Sequence, residues 1–412
     1  CVDFIFLDGK IEIKYNGEKT MIRIYKNAKV ITDTEIISDS LIICTDGVII
    51  EVTERTDAQA DEEIDCRGLF LSPGFADIHV HGGGGFSAMG TEDDVIAMCR
   101  AHAERGPTSI LPTTLAAPVK QLQNCIETIS SAKEKCKYAN ILGVHLEGPF
   151  ISPKMRGAQS LDNILPPTDE NIEALLGFSK NVRMIGAAPE LPNAFKIGEE
   201  AAKRNITASV AHTDAPFETV EKAFSHGYSD ITHIWSACSA MHKEGIFRKV
   251  GAVEAALVNS RCTTQFIGDL RHLPAGAIKL LFAVKGAGKA YAITDGLEYS
   301  ASDMKEGTVI TQENGLSVIY EDGVMKLADR SCLAGSAATM ASVVKNLVKT
   351  VGIPLCDAVK ASSHTPLSVV GFGENKGLIK CGYDEDIILF DGNIDVKYVC
   401  TKGKIIKALR NS

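Results

Sequence analysis

No stretch of this 412-residue chain stays apolar for the roughly 18 residues that a membrane-crossing helix needs, so a helical membrane span drops out. A basic excess is missing as well. The 43 lysines and arginines are outnumbered by 52 aspartates and glutamates, the formal net charge is -9, and no basic stripe is offered to a nucleic acid. The 12 cysteines contain no CxxC pair. With no cleavable leader visible at the start, they read as reduced, mostly buried thiols of a cytoplasmic protein and not as a disulfide framework. No Gly-x-Gly-x-x-Gly turn follows the first strand-like run of the central region, which argues against a dinucleotide site. Internal repeats are absent too, and the one glycine-rich tract is Gly82 to Gly85.

What is present falls into three zones. At 45% hydrophobic residues the chain can build one large domain with an accessory. Residues 1–72 carry short β-like runs broken by turn residues, and 1–20 read as a possible extension before "MIRIYKNAKVI". Residues 381–412 look the same, as in "EDIILFDGNIDVKYVCTKGKIIKAL". Neither end suffices for a sheet domain of its own, so both are expected to join in one small β-sandwich. Residues 73–380 between them alternate short apolar runs with helical stretches. The runs are "GFADIHVH", "TSILPTT", "ILGVHLEG", "VRMIGAAPE", "TASVAHTD", "SDITHI", "TTQFIGD" and "AYAITDG". "TEDDVIAMCRAHAERG" illustrates the helices, with Thr91 as N-cap, acids in the first turn and Gly106 beyond the last. Strand–helix alternation implies parallel strands, and eight units predict an α/β fold of the (β/α)8 TIM-like type. An open doubly wound sheet is the competing arrangement.

The runs end in chemistry. His79 and His81 close the first, Glu147 the third and His212 the fifth; His233 sits in the sixth and Asp295 follows the eighth. In a barrel all strand C-termini open on one face, where active sites sit, so these residues converge. Alternate residues of a strand point the same way, which lets His79 and His81 face one ion. Imidazole and carboxylate suit zinc, iron, cobalt or manganese. Glu147 is placed to bind one ion or bridge two, with His212 and His233 completing a second site. Asp295 is the expected general base, then acid, beside an activated water. His145 reads as a neighbour of the centre or a core residue; His102, His226 and His364 read as core or surface histidines. The four glycines are expected to leave room for substrate at the metal face.

"PGFADIHVHGGGG", "GVHLEGPFISPKMRGAQ", "VAHTDA", "THIWSAC", "ITDG" and "LAGSAATM" together resemble the motifs of the N-acetylglucosamine-6-phosphate deacetylase family, within the amidohydrolase superfamily. The resemblance runs in order from about Ile22 to the end of the chain. It implies one or two divalent ions, zinc first, on His79, His81, Glu147, His212 and His233, with Asp295 as the catalytic acid and base. The implied reaction releases acetate from the acetamide of N-acetylglucosamine 6-phosphate. It implies a homodimer, in which one subunit helps bind its neighbour's substrate phosphate. Substrate contacts are expected from Gln159, Ser236, Ala237, Cys238, Arg248, His272 and Leu333.

The segment "HIWSACSAMHKEGIFRKVGA" departs from the family's pattern. Trp235 to Cys238 replace its asparagine motif, and Arg248 competes with Lys243 and Lys249 for the phosphate. Another N-acyl hexosamine phosphate, such as N-acetylgalactosamine 6-phosphate, or another N-acyl compound is therefore an alternative substrate. A non-catalytic metal-binding barrel is the alternative of another class.

Overall fold

A parallel strand flanked by helices is covered on both faces, which is why the central strands are buried along nearly their whole length and do not alternate between buried and exposed positions. The computed structural model describes residues 2–7, 10–15, 18–19, 21–312 and 315–410. In it the eight runs are β1 (Phe75–Val80), β2 (Pro107–Thr114), β3 (Val144–Glu147), β4 (Val182–Ala187), β5 (Thr207–Val210), β6 (Tyr228–Ile231), β7 (Thr263–Ile267) and β8 (Ala290–Ile293). They pair in parallel in that order. The ring closes where Val80 pairs in parallel with Gly296 and the Asp295 N–H donates to the His79 carbonyl at 3.0 Å. This is the expected barrel and not the open sheet.

The strands alternate with α1 (Glu92–Ala103), α2 (Val119–Lys135), α3 (Asp169–Leu176), α4 (Phe195–Lys203), α5 (Phe217–Ser225), α6 (Ala252–Val258), α7 (Ala275–Lys285) and α8 (Met340–Asn346). α1 starts where the sequence places it. Thr91 accepts the Asp94 N–H, Asp94 accepts the Thr91 N–H in return, and three acids lie in the first turn against the positive helix end. Inside the barrel Ile78, Leu111, Met184, Ile267, Tyr291 and Ile293 form one apolar cluster with Leu367 and Val370. Leu367 lies on the helix His364–Val369, near where the Ser362 carbonyl accepts the N–H of Ala76 at the start of β1. The N-terminal end of the barrel is thus plugged, and only the C-terminal mouth is left for a site.

The two chain ends do meet. Phe70–Pro73 and Ile387–Phe390 pair antiparallel in an eight-stranded sheet that also holds Ile22–Ile31, Ile36–Thr45, Val48–Thr53, Glu62–Asp65, Val396–Thr401 and Lys404–Lys407. Ile49 and Tyr398, from strands far apart in the sheet order, share one core with Tyr25, Val30, Leu71 and Leu389. The expected sandwich is therefore one hydrogen-bonded sheet wrapped around a core. The expected extension, residues 1–20, lies partly outside the described residues. Its strands Val2–Leu7, Lys10–Tyr15 and Glu18–Lys19 form a separate antiparallel sheet. After β8 an antiparallel arm of Val309–Thr311, Ser317–Glu321 and Val324–Leu327 is inserted, which no sequence signal announces.

Candidate metal centre and active site

Five strand ends bring their side chains to one point. Glu147 Oε1 lies 3.2 Å from His79 Nε2, 3.2 Å from His212 Nε2 and 2.9 Å from His233 Nε2, and Oε2 lies 3.4 Å from His81 Nε2. Asp295 Oδ1 is 3.5 Å from His79 Nε2 and 3.2 Å from His81 Nε2. Two donor sets share Glu147: His79 with His81, and His212 with His233. His212, His233 and Asp295 hold φ of 45°, 27° and 50°, left-handed values that non-glycine residues seldom take and that cluster at functional sites.

The opposite edge of each imidazole shows which atom is free. Nδ1 of His81, His212 and His233 meets the carbonyl oxygens of Thr113, Met155 and Ser236 at 3.2, 2.8 and 3.1 Å. A carbonyl only accepts, so each Nδ1 carries a proton, and whenever the ring is neutral its lone pair lies on Nε2, facing Glu147. His79 Nδ1 meets Gln265 Oε1 at 3.0 Å, and its Nε2 makes no hydrogen bond although fully buried. Four lone pairs aimed at a carboxylate repel it unless a cation lies between them. The donor set of four imidazoles and one shared carboxylate fits a divalent ion of the zinc, iron or cobalt kind.

Protons can stand in for that cation only in part. Burial disfavours every imidazolium here; the carboxylates of Glu147 and Asp295 outweigh it at His79, at His212 and at His81, which is pushed up to about 10. At His233 burial wins and the ring stays below its ordinary value. Burial raises carboxyl groups, yet the surrounding histidines hold Glu147 well below the usual range and Asp295 below it. Both acids are therefore anionic, as a cation site and a proton acceptor require.

A cavity of about 330 Å³ opens over the centre. Gln159, Ser236, Ala237, His272 and Leu333 line it with His81, Glu147, His212, His233 and Asp295. Gln159 is already engaged: its Nε2 donates to Glu147 Oε2 at 2.7 Å, and its Oε1 accepts the Ala116 N–H at 2.9 Å. Asp269 Oδ2 holds His272 Nδ1 at 2.8 Å and leaves Nε2 as that ring's free nitrogen. Cys238 and Arg248 are outside the lining. The Cys238 thiol is buried against the Thr232 carbonyl, because its short side chain packs into the core around the barrel. Arg248 stands on an exposed hairpin, His242–Glu244 with Phe247–Lys249, opposite Lys243. Lys249 is 3.6 Å from Glu244 on the same hairpin.

The glycines do something other than clear the mouth. A Cβ on Gly82 would lie 2.5 Å from the Phe86 carbonyl oxygen, and one on Gly83 would lie 2.4 Å from His102 Nε2. His102, on α1, meets the Gly82 carbonyl at 2.9 Å. The missing side chains thus let α1 and the segment after β8 close onto the end of β1, and none of Gly82 to Gly85 lines the cavity. His145 is buried within the barrel, its ring centroid 4.7 Å from that of His79. Gln312, on the inserted arm, and Lys154 also line the cavity; Gln312 lies in no motif, and Lys154, within "GVHLEGPFISPKMRGAQ", is not among the expected site residues.

The chain matches the model of the amidohydrolase family over residues 70–409. It is 30% identical to an N-acetylglucosamine-6-phosphate deacetylase of Caenorhabditis elegans, over 84% of this chain and 84% of that protein. A deacetylase of the same name from Lysinibacillus sphaericus is 29% identical, over 87% of this chain and 91% of that one. Among solved structures it resembles a variant of the Mycobacterium smegmatis N-acetyl-D-glucosamine-6-phosphate deacetylase in complex with N-acetyl-D-glucosamine-6-phosphate. That likeness has a TM-score of 0.84 at 25% identity and covers 94% of this chain and 100% of that one.

Proposed function

The chain belongs to the amidohydrolase family, and on that footing we propose that it hydrolyses the acetamide of N-acetylglucosamine 6-phosphate to glucosamine 6-phosphate and acetate. One observation carries the reading: four Nδ1-tethered imidazoles turn Nε2 onto Glu147, with the anionic Asp295 at their edge. A divalent ion, zinc before iron, cobalt or manganese, held by Glu147, His212 and His233, and a second held by His79 and His81 with Glu147 shared, would supply Lewis-acid polarisation of the acetyl carbonyl and a water of lowered pKa.

The chain's own residues do the rest. Asp295 Oδ takes the proton of the attacking water and returns it to the leaving nitrogen, which departs as the amine while the acetyl carbon keeps the new oxygen. His272, Ser236, Ala237 and Leu333 orient the sugar from the lining, and Gln159 fixes the Glu147 carboxylate. Lys154 is the one lysine of the lining and is paired at 3.0 Å with Asp214. The phosphate is therefore assigned to Arg248 of a second copy in a homodimer. Exposure of Met241, Ile246 and Phe247 beside that arginine supports a contact between copies. The buried thiols of Cys44, Cys66, Cys99, Cys238, Cys262 and Cys400, outside any disulfide, suit a cytoplasmic setting. No helix among the described residues is long and apolar enough to cross a membrane.

The altered loop Trp235–Gly251 favours a second reading, another N-acyl hexosamine phosphate such as the galactosamine isomer. A substrate panel tests both. Acetate should be released from N-acetylglucosamine 6-phosphate and far less from the unphosphorylated sugar. Faster release from the galactosamine isomer would select the second reading, and indifference to the phosphate would sink both.

A further inference from the structure

Three of the four imidazoles are locked by backbone carbonyls, which cannot change their hydrogen-bonding sense. His79 differs. Its Nδ1 rests on the side-chain amide of Gln265, and an amide turned over would present N–H in place of oxygen. Such a turn would force the proton of His79 onto Nε2, the atom aimed at Glu147. Something must hold the amide, and beneath it lies Asp230. This fully buried carboxylate on β6 receives Gln265 Nε2 at 2.9 Å, the Ser209 hydroxyl at 2.8 Å, the Thr263 hydroxyl at 2.6 Å and the Tyr291 hydroxyl at 3.0 Å. A carboxylate accepts only, so Gln265 must point its NH2 at Asp230 and its oxygen at His79.

We propose that Asp230 and Gln265 are positioning residues that set the tautomer of His79 from inside the barrel, and so equip the His79–His81 side of the centre to hold a second ion. The inference rests on the metal-centre reading above. It assigns a purpose to a fully buried charged group that does not line the cavity and that bonds the Tyr291 hydroxyl beside the apolar cluster inside the barrel. Carboxylate-backed histidine ligands are a general means of tuning a metal site, and losing the backing group costs about 10- to 100-fold in metal affinity. Here the backing reaches the histidine through an intervening amide.

The experiment is a zinc titration of the full chain after chelator treatment, with zinc per chain measured by elemental analysis and melting temperature followed in the metal-free state. The unaltered protein should bind two ions. Gln265→Met, close in shape but unable to accept from Nδ1, should bind the second ion about 10- to 100-fold more weakly and keep the first. Gln265→Glu, which again offers an oxygen to Nδ1, should restore two-ion binding. Asp230→Asn, which frees the amide to turn, should weaken the second ion alone. Four results would each overturn the proposal: one ion in the unaltered protein, two equally tight ions in Gln265→Met, no rescue by Gln265→Glu, or loss of both ions together with the fold. Acetate release by the unaltered protein is read separately, so failure of the deacetylase reading would not be mistaken for failure of this one.

Discussion

Two buried polar clusters, one at the barrel mouth and one in the small sheet, obey opposite rules. In the sheet, donors meet acceptors. Arg23 Nε reaches Glu62 at 2.7 Å, and its Nη1 reaches Glu385 Oε1 at 2.6 Å and the Gly403 carbonyl at 3.0 Å. The Tyr25 hydroxyl adds a 2.7 Å bond to Glu385 and lies 3.1 Å from that of Tyr398. At the mouth, groups suited to one cation meet: the Nε2 atoms of four imidazoles, each a lone pair when its ring is neutral, converge on Glu147 beside a second carboxylate. The first cluster is complete as it stands. The second is complete only with a cation. Burial alone therefore says little about a polar group's purpose; the sense of its hydrogen bonds decides.

That contrast exposes itself to measurement. Asp295→Asn should lower the rate of acetate release by about 10³-fold, within the range for loss of a general acid–base, while zinc per chain and melting temperature stay as they were. Zinc loss in that variant would make Asp295 a structural ligand. Arg23→Met should cost about 3–5 kcal/mol in denaturant unfolding, because it strands Glu385 without its partner in a buried site. Activity per folded molecule should not change; a changed KM would tie the small sheet to the site. Removing metal with a chelator should destabilise the protein by about 2.7 kcal/mol relative to free zinc at 100 times its Kd. The same increment is expected in Arg23→Met, since the two clusters share no partner. Tyr398→Phe, which removes one neutral hydrogen bond, should cost only about 1 kcal/mol.

Much of the barrel could be read along the chain because its signals are local. Each apolar run is a strand, and Thr91 with Asp94 marks the start of α1. The convergence of His79, His81, Glu147, His212, His233 and Asp295 follows from parallel strands opening on one face. Other features depend on contacts that no run contains. Gln265 is 186 residues from His79, and neither belongs to a motif that names the other. The arm carrying Gln312 is an insertion whose strands are short and partly polar. Arg248 has a chemistry suited to phosphate, yet its hairpin carries it out of its own cavity. The glycines read as open space, but at Gly82 and Gly83 that space is filled by Phe86 and His102.

By itself, then, the sequence determined the barrel, the meeting of the two chain ends in one small β-domain, and the set of side chains that gather at the mouth; that this domain is one wrapped sheet and not a sandwich came from the structure. Residue type and period are enough for the barrel and its mouth, because strand direction alone orders where side chains emerge. Only the tertiary structure decided which nitrogen of each imidazole faces inward and which predicted residues reach the cavity. Those depend on single hydrogen bonds between distant strands, where a neighbour within about 3 Å sets the sense of a donor or acceptor and sequence distance carries no trace of it.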